Sequence, residues 1–248
     1  RPDMRNKELD QTLVLIKPDA LKNSLTGYVL SQLSGFHTGL CFAATKVVHV
    51  SRMLAEEHYA EHFGKVFYPS LLDYIMGQLH YPNQPQKQRV IAIVYQGADA
   101  VGKVREIGGP TNPHNAREEK PGCIRSLGTI VPIRNAAGEE VGDRMDNLIH
   151  ASATYDEAER EIKLWFKPTD FPPSMRAFAA VESEEHYYYK DNRLFDTHEP
   201  GSVCLLAPGD VVWESDLAAL RLIFQGKAAA CSLQTVVAKY LVNLKLDV

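Results

Sequence analysis

The sequence predicts a mixed α/β chain, and three adjoining stretches carry that expectation. Residues 12–16 are β-branched or apolar and stop at Lys17-Pro18-Asp19, the pattern of a buried strand ending in a polar turn. Across residues 27–33, Tyr28, Val29, Leu30 and Leu33 recur at helical spacing, and residues 40–50 return to β character. The order therefore opens strand, helix, strand. Lys17 falls at a strand end, a common place for a functional cation, though a surface lysine at a turn is the commoner case.

Further along, Ser51 is placed to cap a helix through Met53, Leu54, His58 and Tyr59, with a second short helix over residues 71–76. His58 and His62, four apart, have the spacing of a metal-binding pair on one helical face, but no third ligand follows them. Residues 78–89 are polar, contain Pro82 and Pro85, and read as a surface loop before a strand over residues 90–95. Residues 97–104 then fit G-x-x-x-x-G-K, but Val104 stands where a phosphate-binding loop has the Ser or Thr that holds magnesium. The segment is better read as a turn into a helix ending at Gly108-Gly109. Residues 110–125, rich in Pro, Gly and charge, read as a long loop of the kind that persists for function. There Thr111 and Arg125, with Arg105 just before, have the hydroxyl and guanidinium chemistry to hold phosphate oxygens. Residues 130–145 contain two extended stretches around Asn135 to Gly138, which suggests a hairpin.

The chain converges on Asn147-Leu148-Ile149-His150-Ala151-Ser152 and the helix that follows. Thr154 and Glu157 form a T-x-x-E capping box, which places Glu161 about two turns into that helix. A histidine ending an apolar run, with a hydroxyl two residues on and a carboxylate beyond, has the parts of an activated nitrogen nucleophile. A free imidazole is largely neutral at pH 7, so such a group needs orientation more than deprotonation. A packed structural histidine is the competing reading at this stage.

A formal charge of −4 gives no general electrostatic reason to bind nucleic acid or an anionic membrane, so a polyanionic substrate would need focused positive charge. Cys41, Cys123, Cys204 and Cys231 lie far apart without a C-x-x-C pair, and are read as reduced thiols of a cytoplasmic protein. Residues 1–11 are charged and lack the apolar run of a signal peptide, and no segment has the length of a membrane span.

Several motifs occur in a family's order: Leu15-Ile16-Lys17-Pro18-Asp19, His58-Tyr59, Phe67, Arg105, Thr111-Asn112-Pro113, Lys120-Pro121-Gly122-x-Ile124-Arg125, Asn147-x-Ile149-His150-x-Ser152 and Glu161-Ile162-x-Leu164-Trp165-Phe166. From about residue 11 to 166 the chain resembles the nucleoside diphosphate kinases. The resemblance implies a ferredoxin-like βαββαβ sandwich, α/β in the α+β sense, with an antiparallel sheet. It also implies transfer of a γ-phosphoryl group between nucleoside tri- and diphosphates, by a ping-pong route through phosphohistidine. By position, His150 would be the nucleophile, Glu161 its orienting partner, and Ser152 a support for that carboxylate or for the leaving oxygen. Lys17 and Tyr59 would approach the transferring group, Arg105, Thr111 and Arg125 would grip the remaining phosphates, Asn147 with Lys17 would meet the ribose, and Phe67 would stack on the base. Mg2+ would arrive on the nucleotide phosphates, without a dedicated protein site.

The resemblance further implies a homo-oligomer built from dimers, a tetramer or hexamer. Departures are visible too. Ala153 and Ala20 replace the Asp and Gly usual in the family, and residues 82–88, 114–119 and 134–144 are insertions relative to compact members. A different class of reading, a catalytically weak relative acting as a regulatory or scaffolding module, has against it that every reacting group is retained.

The expected division is a kinase domain over residues 1–166 and a C-terminal extension over 167–248. The extension opens Pro-rich, continues through Tyr187-Tyr188-Tyr189 and an extended stretch over 203–212, and ends in two helices. Ser232 would cap the second, whose Leu233, Val236, Val237, Tyr240, Leu241 and Leu244 form one apolar stripe. At 82 residues its own core would be small, so the stripe is expected to pack on the kinase domain or a neighbouring subunit.

Overall fold

The computed structural model describes residues 10–241, and the chain divides between Ile162 and Lys163 into two compact units. In the first, β1 (Gln11–Ile16), β2 (Cys41–Val48), β3 (Val90–Gln96) and β6 (Ile149–Ala151) form one sheet in the order β2-β3-β1-β6. Every pairing in it is antiparallel. Between the strands run α1 (Pro18–Lys22), α2 (Thr26–Gln32), α3 (Gly35–Thr38), α4 (Arg52–His58), α5 (Tyr68–Ile75), α6 (Ala100–Gly108) and α7 (Pro113–Glu119). A separate hairpin, β4 (Thr129–Arg134) with β5 (Glu140–Asp146), precedes β6, and α8 (Tyr155–Trp165) follows it. Setting aside the hairpin and the helices α4 and α5 that stand between β2 and β3, the element order is βαββαβ and the sheet order is that of a ferredoxin-like sandwich.

The core follows from alternation along the strands. Val14 and Ile16 on β1 and Ile149 and Ala151 on β6 turn to one face, where they meet Val29 of α2, Leu33 just after it, and Ala100 and Val104 of α6. Ser51 caps α4 as expected, its hydroxyl accepting from Leu54 N at 3.1 Å. Thr154 Oγ1 accepts from Glu157 N at 3.1 Å at the start of α8.

Three local expectations are corrected. The chain does not idle in a turn after Lys17: Pro18, with φ preset and no N–H to leave unpaired, opens α1 at once. Helix α4 ends at His58 and His62 lies in a following 3₁₀ turn, Ala60–His62, so the two histidines share no helical face. Residues 110–125 are not a continuous loop, because Asn112 caps α7 by accepting from His114 N and Asn115 N, with Pro113 at its first position.

The second unit holds two small sheets. One has the order β10 (Val203–Leu206), β8 (Tyr187–Lys190), β9 (Arg193–Phe195), and the other pairs β7 (Ala180–Glu182) with β11 (Val211–Trp213). Two helices end it, α9 (Glu214–Phe224) and α10 (Leu233–Tyr240), the latter capped by Ser232 as expected. Val236 and Val237 of α10 are buried, and this helix packs on α9 and β10 of its own unit. Leu244 of the expected stripe, like residues 1–9, lies outside the described residues.

Asp216 on α9 is the polar anchor of this unit: it accepts from Lys239 Nζ at 2.7 Å and from Tyr240 OH at 2.8 Å, and is 2% exposed. Tyr240 OH in turn accepts from Trp213 N at 3.1 Å, and Trp213 Nε1 donates to Phe166 O at 2.9 Å. Removing one member of a buried ion pair strands the other charge, at a cost of about 3 kcal/mol. Asp216→Ala should therefore lower unfolding free energy by roughly that amount in urea titration; a change under about 0.5 kcal/mol would show that the pair anchors nothing.

Candidate active site

The face of the sheet opposite the α2–α6 core carries the site. In the β1–β6 register His150 stands directly across from Leu15, while its neighbours Ile149 and Ala151 pair with Ile16 and Val14 of the core face. Strand alternation alone thus turns the imidazole out of the core. It opens into a cleft of about 370 Å3 lined by Lys17, Tyr59, Phe67, Arg105, Thr111, Arg125, Asn147, His150 and Glu161, among others. Nine of the ten residues singled out from the sequence are brought together there. The tenth, Ser152, is buried behind Glu161.

His150 Nε2 lies 2.6 Å from Glu161 Oε2, and Ser152 Oγ donates to the same oxygen at 2.9 Å while accepting from Leu13 N at 3.1 Å. Burial alone would raise the Glu161 carboxyl, but the His150 charge and hydrogen bond, with the Ser152 hydroxyl, outweigh it and hold the group below its ordinary value. An ionised carboxylate only accepts, so Nε2 is the protonated nitrogen and Nδ1 of a neutral ring keeps its lone pair. Of the two places the resemblance allowed for Ser152, its hydroxyl takes the carboxylate side. His58, at the end of α4, packs edge-on to His150 with ring centroids 4.5 Å apart. Burial first, then the charges of His150, Arg160 and Lys17, push His58 well below the usual imidazole range, so it stands beside His150 as a neutral ring.

Positive charge is concentrated on the floor. Lys17 Nζ donates to Asn147 Oδ1 at 2.8 Å, and Asn147 Nδ2 donates to Thr111 O at 2.9 Å. Burial lowers Lys17 to about 8, with Arg125 adding to the fall and Asp19 and Asp146 opposing it. Arg125 donates to Gly109 O at 2.9 Å and Ile149 O at 3.3 Å, while its Nε is buried without a partner among the described residues. Burial and the neighbouring Arg105 bring it down to about 10. Arg105 and Thr111 are exposed at the mouth. Tyr59 OH is also buried and unpartnered among the described residues, and burial, with Glu161 and Asp19, keeps it protonated as a donor. Phe67 caps α5 beside His62, with ring centroids 5.5 Å apart.

Sequence reasoning missed the strut that shapes this floor. Asp19 accepts from Tyr74 OH at 2.6 Å and from Leu148 N at 3.1 Å, and Leu148 O accepts from Lys17 N at 2.9 Å. These bonds hold Leu148 at φ 73°, a left-handed conformation unusual for a branched residue, between Asn147 and the start of β6. The signal lay in Lys17-Pro18-Asp19, read only for its lysine. Arg144 and its neighbours on β5 also line the cleft and were not singled out. The loop lysine Lys103 donates to Thr38 O at 2.9 Å, a backbone contact away from this cleft's lining.

A histidine tethered at one nitrogen, in a cationic cleft on a ferredoxin-like sheet, is an arrangement suited to an anionic substrate. The family model described as nucleoside diphosphate kinase matches residues 10–171. A nucleoside diphosphate kinase from Thermococcus kodakarensis is 37% identical over 202 residues, covering 82% of this chain and 99% of that protein. One from Pyrococcus furiosus is 39% identical over 163 residues, covering 66% of this chain and 86% of the relative. Among solved structures, the Aquifex aeolicus nucleoside diphosphate kinase aligns with a TM-score of 0.51 at 28% identity, over 66% of this chain and 99% of that one. A nucleoside diphosphate kinase family protein from Babesia bovis gives 0.50 at 27%, over 66% of this chain and 92% of that one. The chain belongs to the nucleoside diphosphate kinase family, whose members are nucleotide-binding phosphotransferases. Among the described residues no helix is long and apolar enough to cross a membrane.

The depressed Lys17 has a consequence for stability. Its folded value, about 8 against 10.5 unfolded, means the native state binds fewer protons between those limits. Stability therefore accrues as pH rises through that window, and below it the buried ammonium is a standing penalty on the order of 3 kcal/mol. Lys17→Met removes the charge but leaves Asn147 Oδ1 unpaired, for a net gain of about 2 kcal/mol at pH 7. Urea denaturation should show that gain narrowing towards pH 10, whereas a destabilised variant at pH 7 would contradict the assignment.

Proposed function

We propose that His150 carries the phosphoryl group in a ping-pong exchange between nucleoside triphosphates and diphosphates. The observation that supports this best is the tether: Nε2 is held by Glu161 at 2.6 Å, leaving the Nδ1 lone pair as the nucleophile in a cleft lined by Lys17, Arg105 and Arg125. In the first half-reaction Nδ1 forms a bond to the γ-phosphorus as the bond to the β,γ-bridging oxygen breaks, and the diphosphate leaves with that electron pair. Glu161 then compensates the charge that develops on the ring. In the second half, an oxygen of an incoming nucleoside diphosphate attacks the same phosphorus and the imidazole is released.

Lys17 and Tyr59 donate to the transferring group, and Arg105, Thr111 and Arg125 hold the other phosphates, so the orphaned Tyr59 hydroxyl and Arg125 Nε find acceptors when the nucleotide binds. Asn147, with Lys17, meets the ribose, and Phe67 supplies an aromatic face for the base, which every nucleobase can use. The lining is rich in cations, so magnesium enters as part of the nucleotide substrate, coordinated by its phosphates. The edge position of β2, with Phe42 57% and Val47 65% exposed, supports assembly of copies into dimers and then a tetramer or hexamer.

Incubation with labelled ATP and magnesium should leave acid-labile, base-stable phosphate on the protein, and His150→Ala should lose both label and exchange. Acid-stable label, or exchange surviving in His150→Ala, would overturn the reading. Because Lys17 must be protonated to bind phosphate, kcat/KM should fall as pH rises through about 8. Lys17→Arg, if it folds and turns over, should move that limb to higher pH; an unmoved limb would assign it to another group.

A further inference from the structure

The β4–β5 hairpin brings its return strand to the wall of the cleft, where Asp143, Arg144 and Met145 join the lining. It stands beside the segment that presents Phe67: a Cβ built on Gly142 would lie 3.7 Å from Val66 Cγ1. The Arg144 side chain is only 15% exposed and is held on two sides. Its Nε donates to Asp146 Oδ1 at 2.6 Å and its Nη2 to Oδ2 at 3.0 Å, a bidentate fork. Its Cζ lies 5.9 Å from the centre of the Tyr74 ring, which Lys17 Nζ also approaches, at 5.1 Å. Asp146 is itself fixed by His80 Nε2 at 2.8 Å. Among the described residues Nη1 of Arg144 donates to no protein acceptor.

This guanidinium differs from those of Arg105 and Arg125. Asp146 balances its charge, so the pair adds little to the field that attracts phosphate, and what remains is a rigid, directional donor. Such a donor suits an uncharged oxygen. It lies between the Phe67 segment and the Lys17–Asn147 pair, where the nucleoside falls once the phosphates are at Arg105, Thr111 and Arg125. We propose that Arg144 recognises the nucleoside moiety, its Nη1 donating to a neutral oxygen, either a ribose hydroxyl or a base carbonyl. This rests on the nucleotide reading of the cleft and adds a specificity-determining residue supplied by the inserted hairpin.

The test compares the full chain with Arg144→Met in steady-state exchange. Acceptors are ADP, its 2′-deoxy and 3′-deoxy forms, GDP and UDP, with inorganic tripolyphosphate as a competitive inhibitor carrying phosphates alone. Loss of one hydrogen bond from a charged donor should raise KM for ADP or GDP about tenfold or more, with kcat within about twofold. Inhibition by tripolyphosphate should be unchanged. A penalty that vanishes for one deoxy acceptor places the contact on that ribose hydroxyl, and one confined to GDP and UDP places it on a base carbonyl. Unchanged KM for every acceptor overturns the proposal, as does an equal loss of tripolyphosphate affinity, which would mean that Arg144 only props up the phosphate site. Neither result touches phosphohistidine formation by the unsubstituted protein, whose absence would instead sink the nucleotide reading.

Discussion

The register between β1 and β6 is the constraint on which the site depends. With His150 opposite Leu15, the imidazole faces the cleft while its neighbours on both sides enter the core; a slip of one residue would exchange those faces. The three-residue strand β6 is too short to enforce that register by pairing alone. Asp19 and Leu148 do so from outside the sheet. The carboxylate bonded to Leu148 N and the carbonyl bonded to Lys17 N fix the entry into β6, and the burial of Leu148 holds a backbone conformation that would otherwise relax. The same strut sets Asn147 beside Lys17, so the positions of His150 and of the floor are one geometric decision.

Electrostatics then divides the cleft into groups that are charged and groups that are kept neutral. Burial is the leading cause that lowers both Lys17 and Arg125, yet both remain largely protonated at pH 7, because their values of about 8 and about 10 still lie above it. His58, starting far lower, is pushed further down by burial and by the charges of His150, Arg160 and Lys17, and stays neutral. The burial and positive charge that shape the cleft therefore also keep the imidazole next to His150 neutral. Cations held out of water in this way carry a desolvation cost that the oxygens of an anionic ligand would offset.

What was legible in the sequence was local or ordered. Ser51, Ser232 and Thr154 declared their helix starts because a capping hydroxyl acts within three residues, and β1 and β3 declared themselves by uninterrupted apolar runs. Lys17 and His150 are far apart in the chain, so their meeting was readable only through the order of several motifs. Composition misled where it overrode position: the Pro and charge of residues 110–125 suggested a loop, although Asn112-Pro113 is a helix start. The second unit was the least legible, because β7, β9 and β11 have three residues each and show no period. Asp19 was hidden for another reason, since its partners, Tyr74 OH and Leu148 N, are distant in sequence and carry no pattern.

A hairpin just ahead of β6 would be expected to disturb the placement of His150, and its base explains why it need not. Thr129 pairs with Asp146, so the excursion leaves and returns at neighbouring points, and closing it costs little beyond what the strands recover through pairing. Gly128 makes this closure possible. A Cβ there would fall 2.6 Å from Asp146 O and 2.9 Å from Pro113 Cγ, so only a glycine lets the outgoing chain pass so close to the returning one. The restriction is one of space, because Gly128 has an ordinary extended backbone. With both ends pinned beside Asn147, the hairpin can vary in length or sequence without moving His150, while its last residues remain in the wall of the cleft. A hairpin anchored in this way can change the wall of the cleft while leaving the placement of His150 alone.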